Sequence, residues 1–258
     1  MKKLAFTHAL ILFIFLSMSP VVACKKQSAP TTTVDEIAQA AVKAIAGLNT
    51  YRFDFDRIIT VTSKEGQATY AIDIYGAIDE AEKEMHHNMQ ISGKEASGYS
   101  IESHYKMYMV GGWRYLKSDN NAWEKSQSEY YWDNYDYAGE QLDLLTMLAP
   151  EVFLNTETVN GVDCYKLKLE PDKVTLWSWI VSQAWSQVLE GHEQELTEDI
   201  VTDYSIFQWI ARDTYFLVKS TVDITMTIDT HIIVYTKTVL IHHFNEPISI
   251  ELPPEAEK

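Results

Sequence analysis

The residues whose types could do chemistry are two histidine pairs, several carboxylates and two cysteines. The pairs are His86-His87 and His242-His243. Two histidines can hold a metal ion only if both rings reach it. Adjacent residues on a strand point to opposite faces, so neither pair is expected to chelate as a unit. Asp54 and Asp56 would share a strand face, but a solvated outer face explains the paired acids more simply than chemistry does. Glu193, Glu195, Glu198 and Asp199 form a charged loop with the same reading. The chain has no glycine-rich phosphate loop, no GxSxG and no HExxH. The expectation is no catalytic residue, no metal, no cofactor and no enzyme.

The cysteines differ in context. Cys164 follows the turn pair Asn160-Gly161 and reads as a small packed residue. Cys24 ends Val21-Val22-Ala23-Cys24, behind Lys2, Lys3 and the apolar run Leu10 to Leu16. A positive start, an apolar stretch and a small residue before the cut make a signal peptide. With the cysteine in place, the arrangement resembles the lipobox of prokaryotic lipoproteins. That resemblance implies cleavage before Cys24 and acylation of Cys24. The alternatives are an ordinary secretory signal beside a chance cysteine, or a short membrane anchor. Thr7, His8, Ser17, Ser19 and Pro20 make the run a poor spanning helix. Acyl chains contribute about 0.8 kcal/mol per buried CH₂, and two or more anchor stably.

The expected organisation is a signal peptide over residues 1–23, a flexible tether over 24–33 and one domain over 34–258. The tether is polar and lacks the apolar surface that ordering requires. Removing 23 of 258 residues leaves 235, ample for one large core. It also removes two of 21 basic residues and none of the 37 acidic ones, for a net charge near −18. Such a chain should repel phosphate backbones and anionic headgroups, so nucleic acid is not an expected partner and the anchor must hold the membrane. With Cys24 acylated, Cys164 has no intramolecular disulfide partner.

The positioning elements follow from periodicity. Val34 to Leu48 has helical spacing, with Thr33 and Glu36 set as a capping box. From Tyr51 the period becomes two, and strand follows strand to Trp123 across short turns. In the first strand only Arg57 breaks the apolar side. Tyr130 to Leu148 is helical in its second half. Asn160-Gly161 joins a hairpin, and Asp172 to Leu189 is a further helix. Ser205 to Ala211, Tyr215 to Ile228 and His231 to Phe244 are strands. In the second of these, Phe216, Val218, Val222, Ile224, Met226 and Ile228 are expected to share a face. The tally is roughly ten strands with a few helices: an α+β fold built on a large curved antiparallel sheet, with helices over its concave face.

Several segments resemble the LolA/LolB lipoprotein-carrier superfamily and its LppX and LprG type members. They are Tyr115-Leu116-Lys117 followed by Trp123-Glu124-Lys125, the hairpin Val159 to Tyr165, the turn Trp209 to Tyr215, and Asn245-Glu246-Pro247-Ile248 with Leu252-Pro253. Ala211 stands where the family pattern has Asp. The resemblance covers most of residues 34–254. It implies a half-barrel closed by helices, carriage of acyl chains, lipoprotein anchors or glycolipids in an apolar cavity, and lipid or lipoprotein handling at the cell envelope. The expected location is the extracytoplasmic face of the cell membrane, or the outer membrane where the source has one. The resemblance assigns no binding residue.

The Trp-rich helix offers the candidate lining. Trp177, Ile180, Val181, Ala184 and Trp185 make one helical face and Trp179 falls off it. Either this stripe is ordinary core, or the helix lids an apolar cavity with Phe207, Trp209, Met226 and Ile228 opposite. The alternative function is a non-catalytic interaction or sensor module with a filled core, displaying the aromatic stretch Tyr130 to Tyr137.

Overall fold

The computed structural model describes residues 32–128, 137–147, 150–182 and 197–256. The expected signal peptide, Cys24, the tether up to residue 31, Ala184, Trp185, most of the aromatic stretch 130–137 and the acids Glu193 and Glu195 lie outside the described residues.

Helix α1 (Val34–Ile45) begins where the sequence indicates. Thr33 Oγ1 accepts the Glu36 N–H at 3.3 Å, and the Thr33 N–H donates to Glu36 Oε2 at 2.8 Å. Together they satisfy two of the orphan donors of the first turn. The strands that follow are β1 (Thr50–Ser63), β2 (Gly66–Asp79), β3 (Glu84–Lys94), β4 (Ser100–Val110), β5 (Trp113–Ser118) and β6 (Glu124–Gln127). Helix α2 (Tyr137–Met147), strands β7 (Pro150–Val159) and β8 (Val162–Leu169), and helix α3 (Lys173–Ser182) come next. Strands β9 (Val201–Ala211), β10 (Leu217–Ile228) and β11 (His231–His242) complete the domain.

All eleven strands join one antiparallel sheet, ordered β6-β5-β4-β3-β2-β1-β11-β10-β9-β8-β7. The two end strands do not pair, so the sheet is an open half-barrel and the fold is α+β as expected. It consists of two meanders that meet where β1 pairs with β11. The β7–β8 turn places Asn160 at φ 49° and Gly161 at φ 83°. Both central residues are thus left-handed, as the favoured two-residue hairpin turn needs.

Asn245 ties the seam at one end. Asn245 Oδ1 accepts the Asn49 N–H at 2.7 Å, and its Nδ2 donates to the Gly47 carbonyl at 2.9 Å. Its backbone N–H donates to the Thr50 carbonyl at 2.8 Å. The segment after the last strand is thereby tied to the exit of α1.

Alternation gives the sheet two faces. The inner face carries Tyr51, Phe53 and Phe55 of β1, Met85 of β3, Met107 and Met109 of β4, and Ile233, Tyr235, Val239 and Ile241 of β11. All three helices pack on that side, through Ile37 and Ala41 of α1, Ala138, Leu144 and Leu145 of α2, and Leu176, Trp179 and Ile180 of α3. Burial of this kind contributes roughly 25 cal/mol per Å² of apolar surface, so these short helices hold their place chiefly by packing. A smaller cluster on the outer face joins Cys164, Trp209, Ala211 and Val218.

Strand β10 corrects one expectation. A register shift lies between Leu217 and Lys219. The extra residue puts Val218 with the outer cluster, while Leu217, Val222, Ile224 and Met226 face inward. Val218 therefore does not share a face with Val222, because a bulge reverses the alternation.

Gly76 of β2 stands opposite His87 of β3. A Cβ there would lie 2.1 Å from the His86 carbonyl oxygen and 2.9 Å from His87 Cα. Both are main-chain atoms and can yield only if the strands part. Gly76→Ala is expected to cost about 3 kcal/mol through this overpacking, read as a lowered urea midpoint.

Candidate functional site

The inner face and its helices form the candidate site. At its middle, Tyr137 of α2 stacks on Phe53, with ring centroids 4.3 Å apart. Beside this pair lies Lys237 of β11, whose side chain is only 3 % exposed. Its ammonium lies 5.3 Å from the Phe55 ring centroid and 6.0 Å from that of Trp179. It forms a buried ion pair with Glu140, in the first turn of α2. Burial pulls Lys237 below the ordinary lysine range, against the opposing pull of Glu140. Arg57 is the direct cross-strand partner of Lys237 and hydrogen-bonds Tyr235. Burial raises the Tyr235 phenol. Two cations thus lie side by side, and Lys237 meets Glu140 of α2 and Trp179 of α3.

The proposed lining residues do not all meet here. Ile180 is fully buried and Met226 is fully buried, both in the inner core, and Ile228 and Trp177 pack against it half-buried. Val181 is 53 % exposed. The inward face of α3 is Leu176, Trp179 and Ile180, so Trp179, placed off the stripe by sequence, is 1 % exposed at its centre. A helix this apolar has no single dominant stripe, which is why the phase read from spacing is off. Trp185 lies outside the described residues. Phe207 and Trp209 are on the other side of the sheet, because β9 turns Ile206, Gln208 and Ile210 toward the helices.

On that outer face Trp209 organises its own charges. The ammonium groups of Lys166 and Lys219, on the two flanking strands, each lie 4.8 Å from its ring. Its Nε1–H donates to Glu157 Oε2 at 3.1 Å, which also meets Lys166 Nζ at 3.1 Å. Cys164 packs nearby, and burial pushes its thiol up to about 11. Such a thiol is a packing residue and not a nucleophile.

The histidine pairs behave differently from each other. His86 stacks on Tyr108 with centroids 5.9 Å apart, while His87 points inward and is 3 % exposed. His242 and His243 break the expected alternation: β11 ends at His242, and His243 takes φ 56°. Their rings meet with centroids 4.7 Å apart, and His242 Nε2 lies 3.2 Å from Asp54 Oδ2. No group of three or more His, Cys, Asp or Glu side chains suited to a metal occurs among the described residues. Asp54, Asp56 and Asp73 line an open outer groove of about 430 Å³ with Lys219 and Tyr75. Burial and a hydrogen bond to Asp73 raise the Asp56 carboxyl. No helix among the described residues is long and apolar enough to cross a membrane.

With this geometry in view, the chain can be set beside solved structures. It is similar in fold to the Mycobacterium tuberculosis lipoprotein LppX. The identity is 12 %, the TM-score 0.45, and the match covers 84 % of this chain and 98 % of that one. A putative outer membrane lipoprotein-sorting protein domain from Vibrio parahaemolyticus gives 9 % identity and a TM-score of 0.23, over 84 % and 95 % of the two chains. A Pseudomonas aeruginosa MucA/MucB complex gives 10 % and 0.28, over 86 % of this chain and 62 % of that one. No protein-family model matches the sequence, and no curated protein matches it.

His87 carries a prediction for this inner face. Burial first, then the positive charges of His86 and Arg114, lower its pKa to about 4 from 6.5. The unfolded chain therefore takes up the proton first. The stability contributed by neutral His87 is complete above pH 6.5 and is lost as pH falls through about 4. The shift corresponds to about 3 kcal/mol. Urea unfolding at pH 7 and pH 4 should show a loss on acidification smaller by about that amount in His87→Gln than in the parent.

Proposed function

We propose that this chain is a non-catalytic lipoprotein of the cell envelope that takes up an acyl chain between its sheet and its helices. Acylated Cys24 would hold it at the extracytoplasmic membrane face, and residues 25–33 would set its reach. The observation that carries the reading is the cover of the inner face. A broad apolar sheet surface is closed by three helices of 12, 11 and 10 residues, held by packing and the Glu140 ion pair. An acyl chain needs such a surface, because its burial is non-directional and scales with area.

The mechanism is displacement of helices. The space between α1, α2 and the sheet near Ala41, Ala138 and Leu217 is about 10 Å³, at most the room for one water. A lipid cannot enter this closed state without moving helices off the sheet. The test is extraction and mass spectrometry of the protein purified from a bacterial host, with uptake of a fluorescent fatty acid by the stripped protein. A co-purifying lipid or saturable uptake supports the reading; neither one overturns it.

The same tight packing favours a second reading, an interaction or sensor module whose interior stays filled. Partner capture that persists when lipid uptake is absent would distinguish it.

A further inference from the structure

The strands of the inner face bring cations where the chain as a whole is acidic. The net charge is −16, yet no Asp or Glu is among the buried residues described, whereas Lys237 is. The three cross-strand rows through Phe55, Arg57 and Ile59 carry Arg57 and Lys237 and no carboxylate. Among the described residues the acid that reaches them is Glu140, and it comes from a helix and not from the sheet. Glu140 occupies Lys237, while Arg57 Nε is buried with no hydrogen-bond partner. Among the described residues no carboxylate pairs with the half-buried Arg57, and partial burial makes an unmatched charge costly. Ser220 adds a second unsatisfied polar atom on the same face, its Oγ buried without a partner.

We propose that Arg57 and Lys237 form a seat for the anionic head of a single-chain amphiphile, a carboxylate or a phosphate, whose tail lies along the inner face. This rests on the lipid-carrying reading above and names the class of ligand. Arg57 offers a planar fork that suits both oxyanions, and Lys237 a point charge beside it. Phe55 and Trp179 flank the ammonium and supply apolar walls where head and tail join. The incoming anion takes the place of Glu140 at Lys237, and Glu140 turns to water from its partly exposed position at 30 %. Binding the head thus releases the side chain that ties α2 to the sheet. Entry of the ligand and opening of its cover become one exchange of ion pairs, with no additional bare charge buried.

The experiment is calorimetric titration of the stripped, purified chain with dodecanoate, dodecanol and inorganic phosphate, in the parent and in Lys237→Met and Arg57→Met. Circular dichroism confirms that each variant folds, and either one suffices. The parent should bind dodecanoate at least about tenfold more tightly than dodecanol. Both variants should lose most of that preference and keep their affinity for dodecanol. Equal binding of acid and alcohol by the parent, or a preference that survives both substitutions, overturns the seat while leaving lipid carriage standing. Phosphate binding that matches dodecanoate shows a free-anion site and overturns the lipid head. Failure of dodecanoate and dodecanol alike overturns the carrier reading itself.

Discussion

Glu140→Ala should destabilise the protein by about 3–5 kcal/mol, while Lys237→Met should cost no more than about 1 kcal/mol. The asymmetry follows from where each partner sits. Lys237 is 3 % exposed and Glu140 is 30 % exposed. Removing the carboxylate leaves an ammonium in an apolar place beside Arg57, with nothing opposite. Removing the ammonium leaves a carboxylate that reaches water, at a helix start where the dipole favours it. Met also fills the apolar walls left by the lysine stem. Urea unfolding of both variants at pH 7 measures the difference. A pH series adds a sign. Lys237 is held below the ordinary lysine value in the folded state, so in Glu140→Ala the unfolded chain binds the extra proton, and stability should rise as pH increases through the alkaline range toward 10.5. Equal costs for the two substitutions would overturn this account of the pair.

Trp179→Ala should cost about 3–5 kcal/mol, as expected for emptying a large buried site. Val181→Ala, two residues on, should change stability by no more than about 0.5 kcal/mol. Trp179 is 1 % exposed and Val181 is 53 % exposed. The comparison tests the phase of α3 directly, since spacing alone suggested the reverse. Thermal unfolding of the two variants suffices. If Val181→Ala proved the costlier, α3 would have to be rotated about its axis.

The strands were largely legible because alternation is a local signal, and Thr33 with Glu36 marked the first helix for the same reason. The candidate site was less so. Arg57 could be seen as a break in an apolar stripe, but its meaning depends on Lys237, 180 positions away in the chain. Their adjacency exists only through the β1–β11 register, and no local pattern encodes that pairing. Phe207 and Trp209 show a second limit. Parity places residues on one face or the other but does not say which face the helices cover, and here both faces hold apolar clusters. The bulge before Lys219 shows a third, since one inserted residue puts Val218 out of phase with Val222, Ile224 and Met226. In α3, Val174, Leu176, Trp177, Trp179, Ile180 and Val181 surround the axis, so no stripe could fix its rotation.

The meeting of β1 with β11 has a consequence for how the molecule comes into being. The first strand made and the last strand made are neighbours at the centre of the sheet. During synthesis β1 can pair with β2 at once, but its other edge stays bare until residue 231 and beyond have emerged. Contacts this distant in sequence slow folding and lengthen the exposure of unpaired strand edges. The first half of the chain is thus kept incomplete until its C-terminal end arrives. A nascent or truncated chain lacking β11 would present an apolar edge fit for other chains, and its safe passage would depend on being escorted until the last hairpin closes.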